Sequence, residues 1–255
     1  MDKIMLIVPS HIEAIAKDFW NKARRSKLGP PYDISGAISF LLPIDIITLS
    51  ELTLGKINEW LVNNGITLPI RVNDRHLHGF ILIKKGIGII FVNGTDSEEE
   101  RSFTLAHEAS HFILDYKAPR DKAIEKIGNG VENVLDGLRQ PTLDEQISSI
   151  ISGVSVKAFT HLLEKEGDGS FENIKVFDAE NNADALAIEL LAPYNEVIKA
   201  TLGGRSKMAF DLFVRDCVDL LTSKYRLPAP IAKQYAKRIA YFVTGGASIM
   251  NKLGF

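Results

Sequence analysis

Arg101-Ser102-Phe103-Thr104-Leu105-Ala106-His107-Glu108-Ala109-Ser110-His111-Phe112-Ile113-Leu114-Asp115-Tyr116 is the stretch on which the reading of this chain turns. Inside it lies His-Glu-x-x-His. Side chains four apart on an α-helix project from one face, so His107 and His111 stand one turn apart on the same side. Two neutral imidazoles at that spacing can grip one Zn²⁺, with Glu108 beside the metal as a base for a water proton. The helix entry is marked as well. Ser97 with Glu100 three residues on makes a capping box, and Glu98, Glu99 and Glu100 suit the positive end of the helix dipole. Phe103, Ala106, Ile113 and Leu114 supply apolar surface for packing.

Upstream of this helix the hydrophobic period changes. Residues 68–72, 79–83 and 87–92 are short β-branched runs, and Lys84-Lys85-Gly86 reads as a hairpin loop. A small antiparallel sheet is therefore expected before the His-Glu helix. Its edge suits either bracing of the helix or pairing with an extended peptide. His76 and His78 alternate onto one side just before the second run, as a solvated loop or as the wall of a site. Nearer the N-terminus, 11–22, 34–42 and 49–61 carry helical patterns. Ser10 and Ser50 read as capped starts of the first and third, and His11 as a surface residue.

Downstream, residues 117–178 read as a mostly helical insertion. Ile124, Ile127, Val131, Val134, Leu135 and Leu138 form one stripe, ended by Gln140-Pro141. Thr142 and Glu145 form a second capping box before Ile147, Ile150 and Ile151. A third segment runs to about Leu163 and stops at Gly167-Asp168-Gly169. The stripes suit core packing, or a roof over a cleft.

Two histidines need a third protein ligand, with the fourth position left for water. The helical stretch from Glu180 to Pro193 offers one. Glu180 and Asp184 are four apart and share a face that Ala183 and Ala187 keep slim. Glu180 can then reach the metal while Asp184 accepts the second ring N–H of His107, fixing its tautomer. Leu186, Leu190 and Leu191 bury the rest of that helix. For the developing oxyanion, His161, Tyr116 and Tyr194 are available, with no motif to place any of them.

Composition narrows the classes. Of 255 residues, 45% are apolar and 24% charged, as in an ordinary globular protein. A net charge of −2 gives no bulk attraction to nucleic acid or membrane. The single Cys217 excludes a disulfide framework or thiolate cluster within the chain, and its apolar neighbours Phe213, Val214 and Val218 mark it as a buried small residue. The apolar run 4–8 is too short for a signal-peptide core or a membrane span, so a cytoplasmic protein is expected. Two last helices, over 207–223 and 230–243, flank Leu227-Pro228. From Asn195 onward ten Lys or Arg face four Asp or Glu. Lys224, Arg226, Lys233, Lys237 and Arg238 suit a solvated face, or phosphate contacts in a helix-turn-helix geometry.

The joint pattern resembles the ImmA/IrrE family of zinc metallo-endopeptidases. The matching residues are Arg-Ser-Phe-Thr-Leu-Ala-His-Glu-x-x-His at 101–111 and Glu-x-x-Ala-Asp-x-Leu-Ala-x-x-Leu-Leu-Ala-Pro at 180–193, supported by Gly-Ile-Gly-Ile-Ile-Phe-Val-Asn at 86–93. The resemblance implies Zn²⁺ on His107, His111 and Glu180, with Glu108 as general base. It also implies a protein substrate, of the helix-turn-helix repressor type. Two departures stand out: the gap from His111 to Glu180 is long for the family, and no N-terminal helix-turn-helix module precedes the site. The expected fold is α+β, a mainly helical metallopeptidase domain with a small antiparallel sheet before the His-Glu helix. One domain over 1–255 is expected, with N-terminal helices to 65, sheet and His-Glu helix at 66–116, insertion at 117–178, and Glu-ligand helix plus C-terminal helix pair at 179–255. The competing readings are a non-proteolytic, metal-stabilised regulator that binds a repressor or DNA through its basic C-terminal helices, and a zinc hydrolase acting on a non-peptide substrate.

Overall fold

The computed structural model describes residues 8–23, 29–66, 75–156 and 174–246. The chain forms two compact units: Met1–Ala37 with Glu98–Ala106 and Ala185–Phe255, and Ile38–Ser97 with His107–Asp184. The architecture is α+β and mainly helical, with one three-stranded sheet.

The sheet lies in the second unit. Strands β1 (Ile44–Leu49), β2 (Gly79–Lys84) and β3 (Ile87–Asn93) are ordered β1-β3-β2. The expected hairpin is present: β2 and β3 pair antiparallel with Phe80 opposite Phe91 and Ile81 opposite Ile90. Lys85 and Gly86 close it with φ of 51° and 84°, the positive values that a tight two-residue hairpin turn demands. β1 pairs parallel with β3, from Ile44 opposite Gly88 to Leu49 opposite Asn93, so the sheet is mixed rather than wholly antiparallel. The run at 68–72 lies outside the described residues.

β1 corrects the expectation of a helix over 49–61. Helix α3 (Leu54–Asn63) begins later, and its cap is Thr53, whose hydroxyl accepts from the Lys56 N–H, rather than Ser50. Leu52, Leu54, Ile57 and Leu61 pack with Leu82 and Phe91, and Trp60 meets Phe91 edge-on with ring centroids 5.3 Å apart. Before β1, helix α2 (Ile34–Leu41) forms as its pattern predicts.

Helix α4 (Glu98–His111) starts one residue after Ser97 and carries the His-Glu-x-x-His motif. Its last turn passes directly into a π-helical turn, Phe112–Lys117, and then into α5 (Ala118–Ile127). Gly128, at φ 107°, breaks the stripe expected to run unbroken to Leu138. A 3-10 turn (Asn129–Val131) and the short α6 (Glu132–Leu135) follow, burying Val131, Val134 and Leu135 with Ala123, while Leu138 stays exposed. Helix α7 (Leu143–Ser152) has the expected capping box between Thr142 and Glu145. Its apolar residues do not pack as expected: Leu143, Ile147, Ile150 and Ile151 are all exposed. The segment from Leu163 to Gly169 lies outside the described residues. Helix α8 (Ile174–Leu191) ends just before Pro193, where the ring forbids a further helical hydrogen bond.

In the first unit, α1 (Ser10–Lys22) buries Ile12, Ala16 and Phe19. Pro9, not Ser10, holds the cap position, and no side chain caps this helix. Helices α9 (Tyr194–Leu202), α10 (Phe210–Ser223) and α11 (Ala229–Thr244) complete the chain. α10 buries Phe213, Cys217 and Leu221; α11 buries Ala232, Tyr235, Ala236, Ile239 and Ala240. Among the described residues no helix is long and apolar enough to cross a membrane.

Candidate metal centre

The motif residues, carried on α4 and α8, converge within the second unit. His107 Nε2 and His111 Nε2 lie 3.1 Å apart. Glu180 brings Oε2 to 3.6 Å from the first and Oε1 to 3.6 Å from the second. Helical periodicity explains why: both imidazoles leave the same face of α4, and Glu180 faces them from α8 above the small, fully buried Ala183 and Ala187. His111 and Glu180 are buried, and the His107 side chain is 15% exposed, so the cluster is nearly closed to water.

The outer ring nitrogens are both engaged. His107 Nδ1 donates to Asp184 Oδ1 at 2.9 Å, as the spacing on α8 suggested. His111 Nδ1 donates to Asp115 Oδ2 at 2.7 Å. Asp115 is the contributor that motif reading passes over. The signal for it is a carboxylate four residues beyond His111, the same spacing that singles out Asp184 after Glu180. It sits inside the π-helical turn, where an α-helical register does not apply.

The donor set fits a metal ion. With both Nδ1 atoms carrying the proton, both Nε2 atoms present lone pairs, and a carboxylate completes a triangle of acceptors. A cation between them reconciles three converging acceptors. Ligand atoms around a tetrahedral ion at 2.0–2.1 Å stand about 3.3 Å apart, near the 3.1 Å between the two Nε2 atoms and the 3.6 Å from each to one of the two Glu180 oxygens. The local field favours positive charge as well. Burial opposes charging His107, yet the hydrogen bond to Asp184 and the carboxylates of Glu108, Asp184 and Glu180 outweigh it and hold its pKa above the ordinary imidazole value. Among the described residues, His107, His111 and Glu180 form the one group of this kind.

The other sequence candidates are placed elsewhere. His78 is exposed and its Nδ1 bonds Asp96 Oδ2 at 2.8 Å; Asp96 in turn accepts from Asn93 Nδ2, which ties the turn after β3. His76 forms an isolated bridge with Thr53. Tyr116 is buried, and burial raises its pKa against the opposing influence of Arg120 and the Gly86 backbone. Tyr194 belongs to the first unit, where its N–H donates to Glu189. His161 lies outside the described residues. Cys217 is fully buried, and burial pushes its thiol up to about 11, against the weaker pull of a Thr201 hydrogen bond.

A buried His-His-Glu triangle with a glutamate following the first histidine is a donor set of metallopeptidase type. Residues 66–130 match the Peptidase_M78 family model, described as the IrrE N-terminal-like domain, which bears out the ImmA/IrrE resemblance over that segment. The matched span includes His107, Glu108 and His111; Glu180 lies beyond it. Comparison with curated proteins and with solved structures finds no match.

Proposed function

We propose that this protein is a zinc-dependent endopeptidase that cuts a regulatory protein of the repressor type, in the cytoplasm. The observation that carries the reading is the convergence of His107, His111 and Glu180, each imidazole held from behind by an aspartate. Two imidazoles and one carboxylate suit zinc better than magnesium or calcium, which take oxygen donors. Zinc held there supplies Lewis acidity, polarising a carbonyl and acidifying water.

The chain's own residues do the rest. Asp184 and Asp115 fix which nitrogen of each imidazole faces inward. Glu108 accepts a proton from the attacking water and delivers it to the departing amide nitrogen. The water oxygen ends on the carbonyl carbon, the C–N bond breaks, and the amine leaves neutral. The peptidase class is supported by the family model over 66–130, and the repressor-type substrate by the resemblance of the two motifs to ImmA/IrrE proteins.

The test is co-expression of the full chain with a candidate helix-turn-helix repressor, followed by purified assays with a chelator and with Glu108→Gln. Cleavage should depend on metal and fall by at least about a hundredfold in the variant, which should retain its metal. Cleavage that survives in Glu108→Gln overturns the general-base role. A fully loaded protein that cuts no repressor overturns the peptidase reading in favour of a metal-stabilised regulator.

A further inference from the structure

Helix α7 is built inside out. Its half-buried residues, Glu145, Ser148, Ser149 and Ser152, are all polar. Its large apolar residues, Leu143, Ile147, Ile150 and Ile151, are 72, 48, 80 and 80% exposed. No residue of this helix is buried. At positions i, i+4, i+7 and i+8, the four apolar side chains form one stripe about 100° wide and about 12 Å long. Among the described residues, no other element exposes more than two large apolar side chains.

The outward turn of the stripe is fixed by contacts at both ends of the helix. At the start, Thr142 and Glu145 cap each other, and Arg139 donates to both Glu145 oxygens and to the Gly130 carbonyl. At the end, Gly153 closes the helix in the left-handed region, and Ser149 Oγ donates to the Val154 carbonyl at 2.8 Å. Val154 and Val156 then pack on the cluster of Ala123, Val131, Val134 and Leu135. The polar side of α7 is thus bound to its own chain, and rotating the helix to bury the isoleucines would break the Arg139–Glu145 pair. An apolar face held outward in this way is a surface prepared for a partner.

We propose that this stripe pairs with the same stripe of a second copy of the chain, the two α7 helices lying antiparallel about a two-fold axis near Ile147. The stripe is matched in length, width and lack of charge by itself. At those exposures the four side chains of two copies present on the order of 1,000 Å², the area that a specific interface must clear; one copy presents half of it. The antiparallel sense opposes the two helix dipoles and sets Leu143 of each copy against Ile150 and Ile151 of the other. It also keeps the two Asp144 carboxylates, which flank the stripe opposite Gln146, towards opposite ends. A membrane is the weaker fit, since an interfacial helix flanks its apolar face with cations, and α7 carries Asp144 and Glu145 with no Lys or Arg. The surface uses none of the metal ligands and is independent of the peptidase reading.

The test is sedimentation equilibrium of the full chain between about 1 and 300 μM, the range that suits so small an interface. The mass should rise from that of one chain to that of two and stop there, because a two-fold interface closes. Ile150→Lys with Ile151→Lys should weaken the dimer at least about a hundredfold. Val62→Lys, at an apolar position 59% exposed on α3, should leave it unchanged. Ile147→Cys should cross-link to itself on mild oxidation, while Val62→Cys should not. Circular dichroism checks that each variant keeps its helix content, and a misfolded double variant is replaced by Ile150→Lys or Ile151→Lys alone. Flotation with anionic phospholipid vesicles runs in parallel. A chain that stays monomeric, whether or not α7 binds vesicles or another protein, overturns the proposal. So does a mass that climbs past two chains, a dimer indifferent to the α7 variants, or equal cross-linking at both cysteine positions.

Discussion

Two aspartates decide how the metal residues point, and their settings differ. Asp115 is 21% exposed and bonds a buried histidine; Asp184 is 53% exposed and bonds a histidine at 15%. Water screens the second contact more, so its loss is the milder one. Replacing either by alanine should lower metal affinity by about ten- to a hundredfold, with Asp115→Ala at the larger end, measured by competition with a chelating dye. The convergence of His107, His111 and Glu180 and the bond from His107 to Asp184 are legible in the sequence because four-residue spacing on a helix converts directly into a shared face. Asp115 obeys the same spacing but falls in a π-helical turn, which no pattern of side chains announces. A different carboxylate offers a pH test. Burial, with Glu13 and Glu196 nearby, pushes Glu189 up to about 8, against the pull of the Tyr194 N–H. Its folded value lies above its unfolded value, so the proton-bound form is favoured by folding. That stability is full below about pH 4.5 and is lost as pH rises towards about 8. Glu189→Gln should therefore flatten the decline in melting temperature between pH 5 and 8, relative to wild type, in a buffered thermal scan; an unchanged slope would exclude a buried acid there.

Among elements, the sheet lies close against the π-helical turn that follows α4. A Cβ at Gly88 would stand 3.0 Å from Ile44 Cγ1 and 3.2 Å from Phe112 Cδ2. β3 thus approaches, without an intervening side chain, the residue that follows His111. Gly88→Ala should cost about 1–3 kcal/mol in urea unfolding, as overpacking does, and weaken metal binding through the displaced Phe112. Gly128, whose added Cβ would meet nothing within 4 Å, serves as a comparison in which only backbone strain operates. β1 shows where sequence reading fails. Ile44, Ile46, Ile47 and Leu49 form an apolar run that fits either period, and the strand's partner is β3, some forty residues on, so no local signal fixes its state. In α7 the opposite holds. Its capping box is legible and correct, because capping is local; its exposed stripe is not, because burial depends on what arrives from elsewhere in the chain.

At the scale of the whole molecule, a metal held by His107, His111 and Glu180 would link its binding to the fold. A ligand held by the native centre and not by the unfolded chain stabilises by about 2.7 kcal/mol at a free concentration one hundred times its dissociation constant. Chelation should lower the melting temperature accordingly, and Glu180→Ala should abolish that difference. Should the melt prove insensitive to chelator, tight zinc binding at this centre would be ruled out. Charge is unevenly divided along the chain, since six of its 30 Lys and Arg and none of its 32 Asp and Glu follow Asp219. Chromatography senses the face that a molecule can turn towards the resin, rather than its sum. A protein with an isoelectric point near 6.3 ought to pass through a cation exchanger at pH 7.5. This one presents the exposed Lys233 and Lys237 on α11, a helix whose own sequence holds no acid, so it should be retarded on heparin at a pH where its net charge is negative.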